Sequence, residues 1–183
     1  MNNKRTLLLL FILIALQLFV PGKMIYDHES ILNNGQIFKF KTAPVDPSDP
    51  FRGKYIVLRF DESRFQTFEK GPWYSNQEVF ATLENDKKGF AKILNVSRTK
   101  PDVGIYLKTK VDYFQPGDSA FLNLDFSFTT FYMEESKAGP AETAYFEAAR
   151  DTNSVTYASV SVFNGEAVIS NVFINDVPLV KAK

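Results

Sequence analysis

The chain has no cysteine and a single histidine, His28. These two absences exclude disulfides, thiolate metal sites, cysteine nucleophiles and any site that needs two imidazoles from one chain. An excess of charge of one sign is also missing, because lysine plus arginine and aspartate plus glutamate both number 21. No bulk field therefore gathers nucleic acid or anionic surfaces around the fold. There is one tryptophan, and the sequence has no internal repeat, low-complexity tract or long linker. What remains is 183 residues, enough for one globular unit with a sizeable core. No reaction follows from the inventory.

The one long hydrophobic run stands at the N-terminus, from Leu7 to Val20, with Lys4 and Arg5 before it and Gln17 as its one polar residue. The run alone is shorter than the roughly 20 residues of a spanning helix and suits a signal peptide. Yet Pro21, Gly22, Lys23 and Met24 follow where a small-residue cleavage site would stand. The apolar character extends to Tyr26, which suits an interface, and Lys23 can snorkel. We expect an uncleaved signal anchor over residues 1–26, with the positive-inside rule placing the rest outside the cytoplasmic membrane. A helical stalk over residues 27–35, closed by Gly35, leads to an exported domain over 36–183.

From Gln36 onward a period of two dominates, as in half-buried strands. Phe38 and Phe40 alternate with Lys39 and Lys41, and Val79, Ala81 and Leu83 alternate with glutamate and threonine. Ile105, Leu107 and Val111 alternate with Lys108, Lys110 and Asp112. The stretch from Ala120 to Tyr132 sets Leu122, Leu124, Phe126 and Phe128 on one face, which predicts a single long strand. Near the end two alternating runs flank Asn164-Gly165, a pair that tolerates the positive φ of a type I′ hairpin. A short helix of about three turns or fewer is expected after Pro140, since proline suits a first turn. The fold class is mainly β: an antiparallel β barrel or sandwich with one short helix, behind an N-terminal transmembrane helix.

The segment from Thr42 to Phe60 is unlike the rest. Two Asp-Pro steps hold Asp46 and Asp49 in extended backbone. Arg52 supplies the planar fork that matches a carboxylate, and Gly53 permits a tight turn into the strand YIVLRF. Gly53 to Phe60 reads GKYIVLRF, and with its lead-in APVDPSDPFR it resembles the motif of the GDYXXLXY family of bacterial membrane-anchored proteins. Gly53, Tyr55 and Leu58 match, Lys54 replaces the acid and Phe60 replaces the last tyrosine. FYMEE resembles the family's aromatic-aromatic-x-x-Glu element and puts Glu135 on its glutamate, and VFINDVPL resembles its closing strand. The resemblance implies an exported domain behind one helix, of uncharacterised activity, often encoded beside polytopic membrane proteins. Any role of the motif acid is denied to Lys54.

Two functions fit. Asp46, Asp49 and Glu135 could converge as a carboxylate cluster of a hydrolase or divalent-metal protein. Alternatively the aspartates cap their loop and pair with Arg52, and Asp46, Asp49, Arg52, Gly53, Tyr55, Leu58 and Glu135 form a binding or structural element of an accessory domain. The high aromatic content favours a core and a docking face over a catalytic site, so the accessory domain is the leading reading. Its partners are the membrane and a polytopic membrane protein, with no cofactor, metal or nucleic acid. Trp73 and Tyr74 are a platform for a sugar or peptide if exposed, and packing residues if buried. His28, without a second ligand nearby, is expected to be solvated.

Overall fold

The computed structural model describes residues 3–43, 55–69, 71–117, 119–151 and 153–180. The N-terminal apolar run lies on one continuous helix, α1 (Asn3–Asn34), which passes through Pro21. Its large apolar side chains from Leu7 to Tyr26 are all exposed, and His28 is exposed on the following turn. By length and composition α1 can cross a membrane. Its last turn behaves differently. Ile31 is buried to 9% exposure, and the Gly35 N–H donates to the Ile31 carbonyl at 2.9 Å.

Beyond the helix the alternating runs become strands: β1 (Gln36–Ala43), β2 (Tyr55–Val57), β3 (Arg59–Phe60), β4 (Arg64–Thr67), β5 (Glu78–Asn85), β6 (Ala91–Ser97), β7 (Ile105–Gln115) and β8 (Ala120–Asp125). After them come β9 (Thr130–Tyr132), a second helix α2 (Glu135–Arg150), β10 (Thr156–Phe163), β11 (Glu166–Ile174) and β12 (Val177–Pro178). They form two five-stranded sheets, in the orders β12-β11-β10-β1-β3 and β4-β8-β7-β5-β6, and a β2–β9 ribbon. Every ladder between named strands is antiparallel.

The two sheets wrap into a nearly closed barrel. A 3₁₀ turn, Asp61–Ser63, carries the chain from β3 to β4, and isolated bridges join Lys39 to Phe90 and Leu107 to Gly165. Where β6 presents its edge, the Glu62 carboxylate accepts from the Ile93 N–H at 3.0 Å. A charged side chain thus occupies a group that would otherwise invite a further strand.

Inward positions predicted by alternation are the core. Phe38, Phe40, Val79, Ala81, Leu107, Val111 and Leu122 are almost wholly buried. Phe40, Phe60, Phe126 and Phe128 form an aromatic cluster, with Phe40–Phe128 and Phe60–Phe128 centroids 5.3 and 5.2 Å apart. Trp73 is buried as well, with the Arg98 guanidinium 4.0 Å from its ring centre, whereas Tyr74 is exposed. The packing reading of Trp73 therefore holds. The Asn164-Gly165 hairpin forms as expected, with φ of 51° and 87° and Phe163 opposite Glu166.

Two expectations need correction. The helix expected after Pro140 begins at Glu135, spans 16 residues and contains that proline in its interior. Ala138, Ala141 and Tyr145, spaced on one face, are all buried. Burial on both sides of the proline holds a first turn that the missing N–H alone would weaken. The single strand expected from Ala120 to Tyr132 is two strands separated by Phe126–Thr129. Phe126 and Phe128 keep their inward direction, but the chain leaves β7 and β4 to pair with β2 instead.

Candidate functional site

The motif strand is the place where the barrel changes partners. Its first half, β2, pairs with β9 in the register Tyr55–Tyr132, Ile56–Phe131, Val57–Thr130. Its second half, β3, pairs with the end of β1, Thr42 opposite Phe60 and Ala43 opposite Arg59. Leu58 lies between the two ladders, and its N–H donates to the Thr129 carbonyl at 2.7 Å. Alternation then sorts the motif by role. Ile56, Leu58 and Phe60 point into the core, with Leu58 fully buried, while Tyr55, Val57 and Arg59 point outward. Phe60, the last residue of the motif strand, packs among the rings of Phe40, Phe126 and Phe128.

This ladder also joins two elements that sequence reading named separately. The Tyr55 and Tyr132 rings lie 5.6 Å apart across β2 and β9, and Tyr132 is 72% exposed. With Val57 beside them they form an aromatic and apolar outer face. Glu135 opens α2 three residues beyond Tyr132 and is exposed at the helix N-terminus, where a carboxylate is favoured by the helix dipole. Glu134 takes the cap position, and the Lys137 ammonium, 3.0 Å away, holds its carboxyl below the usual range.

Asp46, Asp49, Arg52 and Gly53 lie outside the described residues; of the predicted set the structure describes Tyr55, Leu58 and Glu135. Their roles differ: Leu58 is core, Tyr55 is face and Glu135 is helix terminus. Among the described residues no group of three histidine, aspartate or glutamate side chains is placed to hold a metal ion.

Beneath this region is a buried hydroxyl cluster that no sequence signal announces. Thr42 on β1 and Thr156 on β10 are 114 positions apart, yet their hydroxyls meet at 2.6 Å inside the protein. Tyr145 from α2 is fully buried nearby, and among the described residues its O–H has no hydrogen-bond partner of good geometry. Burial raises its pKa, and the adjacent Thr42 hydroxyl acts in the opposite direction. The Thr42 hydroxyl donates to Thr156 and keeps lone pairs toward the phenol, but the Tyr145 O–H makes no hydrogen bond of good geometry among the described residues. On the outer face of the same sheet, Tyr157 donates to Asp176 at 2.7 Å. Burial and that carboxylate push the phenol up to about 12, and the same bond holds the Asp176 carboxyl low.

The family profile of the GDYXXLXY protein matches residues 17–172, from within α1 to β11. The chain belongs to the GDYXXLXY family. No curated protein and no solved structure matches it.

Proposed function

We propose that this GDYXXLXY protein is a single-pass, membrane-anchored accessory domain. It stands on the extracytoplasmic side of the cytoplasmic membrane and acts through contact with a polytopic membrane protein. Residues 1–26 are its signal anchor, 27–35 its stalk and 36–183 its working domain. The residues assigned to contact are the motif and its surroundings: Asp46, Asp49, Arg52, Gly53, Tyr55, Leu58 and Glu135. Leu58 acts from the core by holding the strand.

The single observation behind this reading is the exposed Tyr55–Tyr132 pair, displayed on the ladder that unites the family motif with its glutamate element. Tyrosine supplies a large amphipathic surface at low entropic cost, which is why contact faces are rich in it. The pair stands at the end of β1 remote from α1, a path of about 25 Å along the strand. Such a face suits the extramembrane part of a partner better than its spans.

The test uses the absence of native cysteine. Tyr132→Cys and, as a control, Val103→Cys, at a site 86% exposed, are treated in spheroplasts with a membrane-impermeant maleimide photocrosslinker. Both should label, and Tyr132→Cys alone should give a discrete crosslink to a membrane protein. Labelling at neither site would overturn the sidedness; labelling without a crosslink at Tyr132 would overturn the contact face.

A further inference from the structure

We propose that a collar of apolar side chains around the joint between α1 and the barrel, Leu32, Ile37, Phe163 and Val168, rests against the outer edge of the headgroup layer of the bilayer that holds α1. The inference deepens the membrane-anchored reading above and rests on it.

The joint is tight. A Cβ on Gly35 would lie 2.5 Å from the Ile31 carbonyl oxygen, 2.6 Å from the Ser161 hydroxyl and 3.0 Å from the Val162 nitrogen. Ser161 points away from the core, since Val160 and Val162 on either side of it point inward. Nevertheless it is only 1% exposed. The last turn of α1 covers it. Register then defines the rest of the patch: Ile37 lies opposite Ser161 on β1 and Val168 lies opposite it on β11. Phe163, two residues on, shares the outward direction of Ser161. Ile37 is 60% exposed, and Leu32, Phe163 and Val168 are half-buried. Apolar side chains thus ring the spot where the helix leaves the sheet.

Distance selects the occupant. The apolar side chains from Leu7 to Tyr26 cover about 30 Å of helix axis, the thickness of a hydrocarbon core. Ile31 follows Tyr26 by about 7.5 Å along the axis, and the headgroup layer is itself about 5 to 8 Å deep on each side. The turn between carries Asp27, His28 and Glu29, all exposed, with Asp27 paired to Lys23. That layer is polar, as the interface requires, and it ends where the collar begins. No free length of stalk separates the bilayer from the sheet, and tilting α1 would only bring the collar closer. An interfacial location gives exposed Ile37 an environment that water does not. The charged residues flanking the joint, Lys23, Asp27, Glu29, Lys39 and Glu166, are of both signs, so contact should need no anionic lipid.

The test is depth-dependent quenching in full-length protein reconstituted into phosphatidylcholine vesicles. Single-cysteine variants Leu16→Cys, Ile37→Cys and Val177→Cys carry an environment-sensitive fluorophore, and the lipids carry a spin-label quencher near the headgroup or deep in the chain. Leu16 lies within the span; Val177 is 63% exposed at the other end of the β10–β11 pair. We expect deep quenching at Leu16 and shallow quenching at Ile37 several-fold above that at Val177. Val168→Cys repeats the collar measurement at a site less critical to the joint. If Leu16 is quenched while Ile37 and Val168 behave like Val177, the collar stands off the bilayer and the inference fails with the membrane reading intact. A collar label shielded from water but unquenched would assign the patch to a protein neighbour and also overturn it. If Leu16 is not quenched, the membrane reading falls and the collar with it.

Discussion

At its first residue β1 meets a helix so closely that no side chain fits at Gly35, while its last two residues meet a strand that has just changed partners. The near end is closed by backbone against backbone, with one hydroxyl shut beneath a helix turn. The far end is assembled from many short pieces, β2, β3, β9 and the start of α2, whose hydrogen bonds switch ladders at Leu58. Beneath it lies a phenol with no well-formed hydrogen bond among the described residues. Attachment thus depends on fit at a few atoms, whereas the motif region depends on side-chain packing under a small ladder. Changes at the two ends should fail in different ways.

The largest expected effect is at the far end. Leu58→Ala should destabilise the full-length protein in micelles by about 2 to 5 kcal/mol, as for a fully buried leucine. The urea midpoint measures it, with slopes compared to establish a common native state. A loss under about 1 kcal/mol would mean that the motif strand is held by its hydrogen bonds and not by its core contacts, reversing the contrast.

A smaller effect should come from the near end. Gly35→Ala forces a Cβ against backbone atoms that cannot swing away, and overpacking of this kind costs roughly 1 to 3 kcal/mol. Gly139 is the control. It lies inside α2 with nothing beyond its chain neighbours within 4 Å of its added Cβ, so the gain in helix propensity is set only against the crowding of a helical Cβ by the following Pro140, and Gly139→Ala should change stability by less than about 1 kcal/mol. Equal responses at the two glycines would show that close approach at Gly35 does not matter.

Much of the barrel was legible because a half-exposed antiparallel strand writes its burial into alternate positions. Phe38, Val79, Leu107 and Leu122 all follow that rule, and Asn164-Gly165 marks its turn through local φ preferences. Strand ends were less legible. Nothing between Asp125 and Thr130 signals a break, since Phe126 and Phe128 keep the alternation while the partner strand changes. Pro140 misled for a related reason: its local preference for a first turn yielded to the buried face of Ala138, Ala141 and Tyr145. At the motif, alternation correctly separates Leu58 from Tyr55. The meeting of Tyr55 with Tyr132, and of Thr42 with Thr156, depends on long-range register that no local pattern encodes.

The smallest effect, at Tyr145, should differ in sign from that at its neighbour Thr42 in the buried hydroxyl cluster. Thr42 donates to Thr156, so Thr42→Val would strand the Thr156 hydroxyl inside the protein. An unsatisfied buried group costs about 1 to 3 kcal/mol. Tyr145 already bears that penalty. Its ring is fully buried, its O–H makes no hydrogen bond of good geometry among the described residues, and desolvation is the first cause of its raised pKa. Tyr145→Phe keeps the ring's packing against Phe146, 5.8 Å away, and removes only the unsatisfied group. It should therefore be neutral or stabilising by up to about 1 kcal/mol. The two midpoints measured side by side decide the matter. If Tyr145→Phe instead destabilises as much as Thr42→Val, the phenol has a partner in solution, the three hydroxyls form one satisfied network, and the far end is as tightly determined as the joint at Gly35.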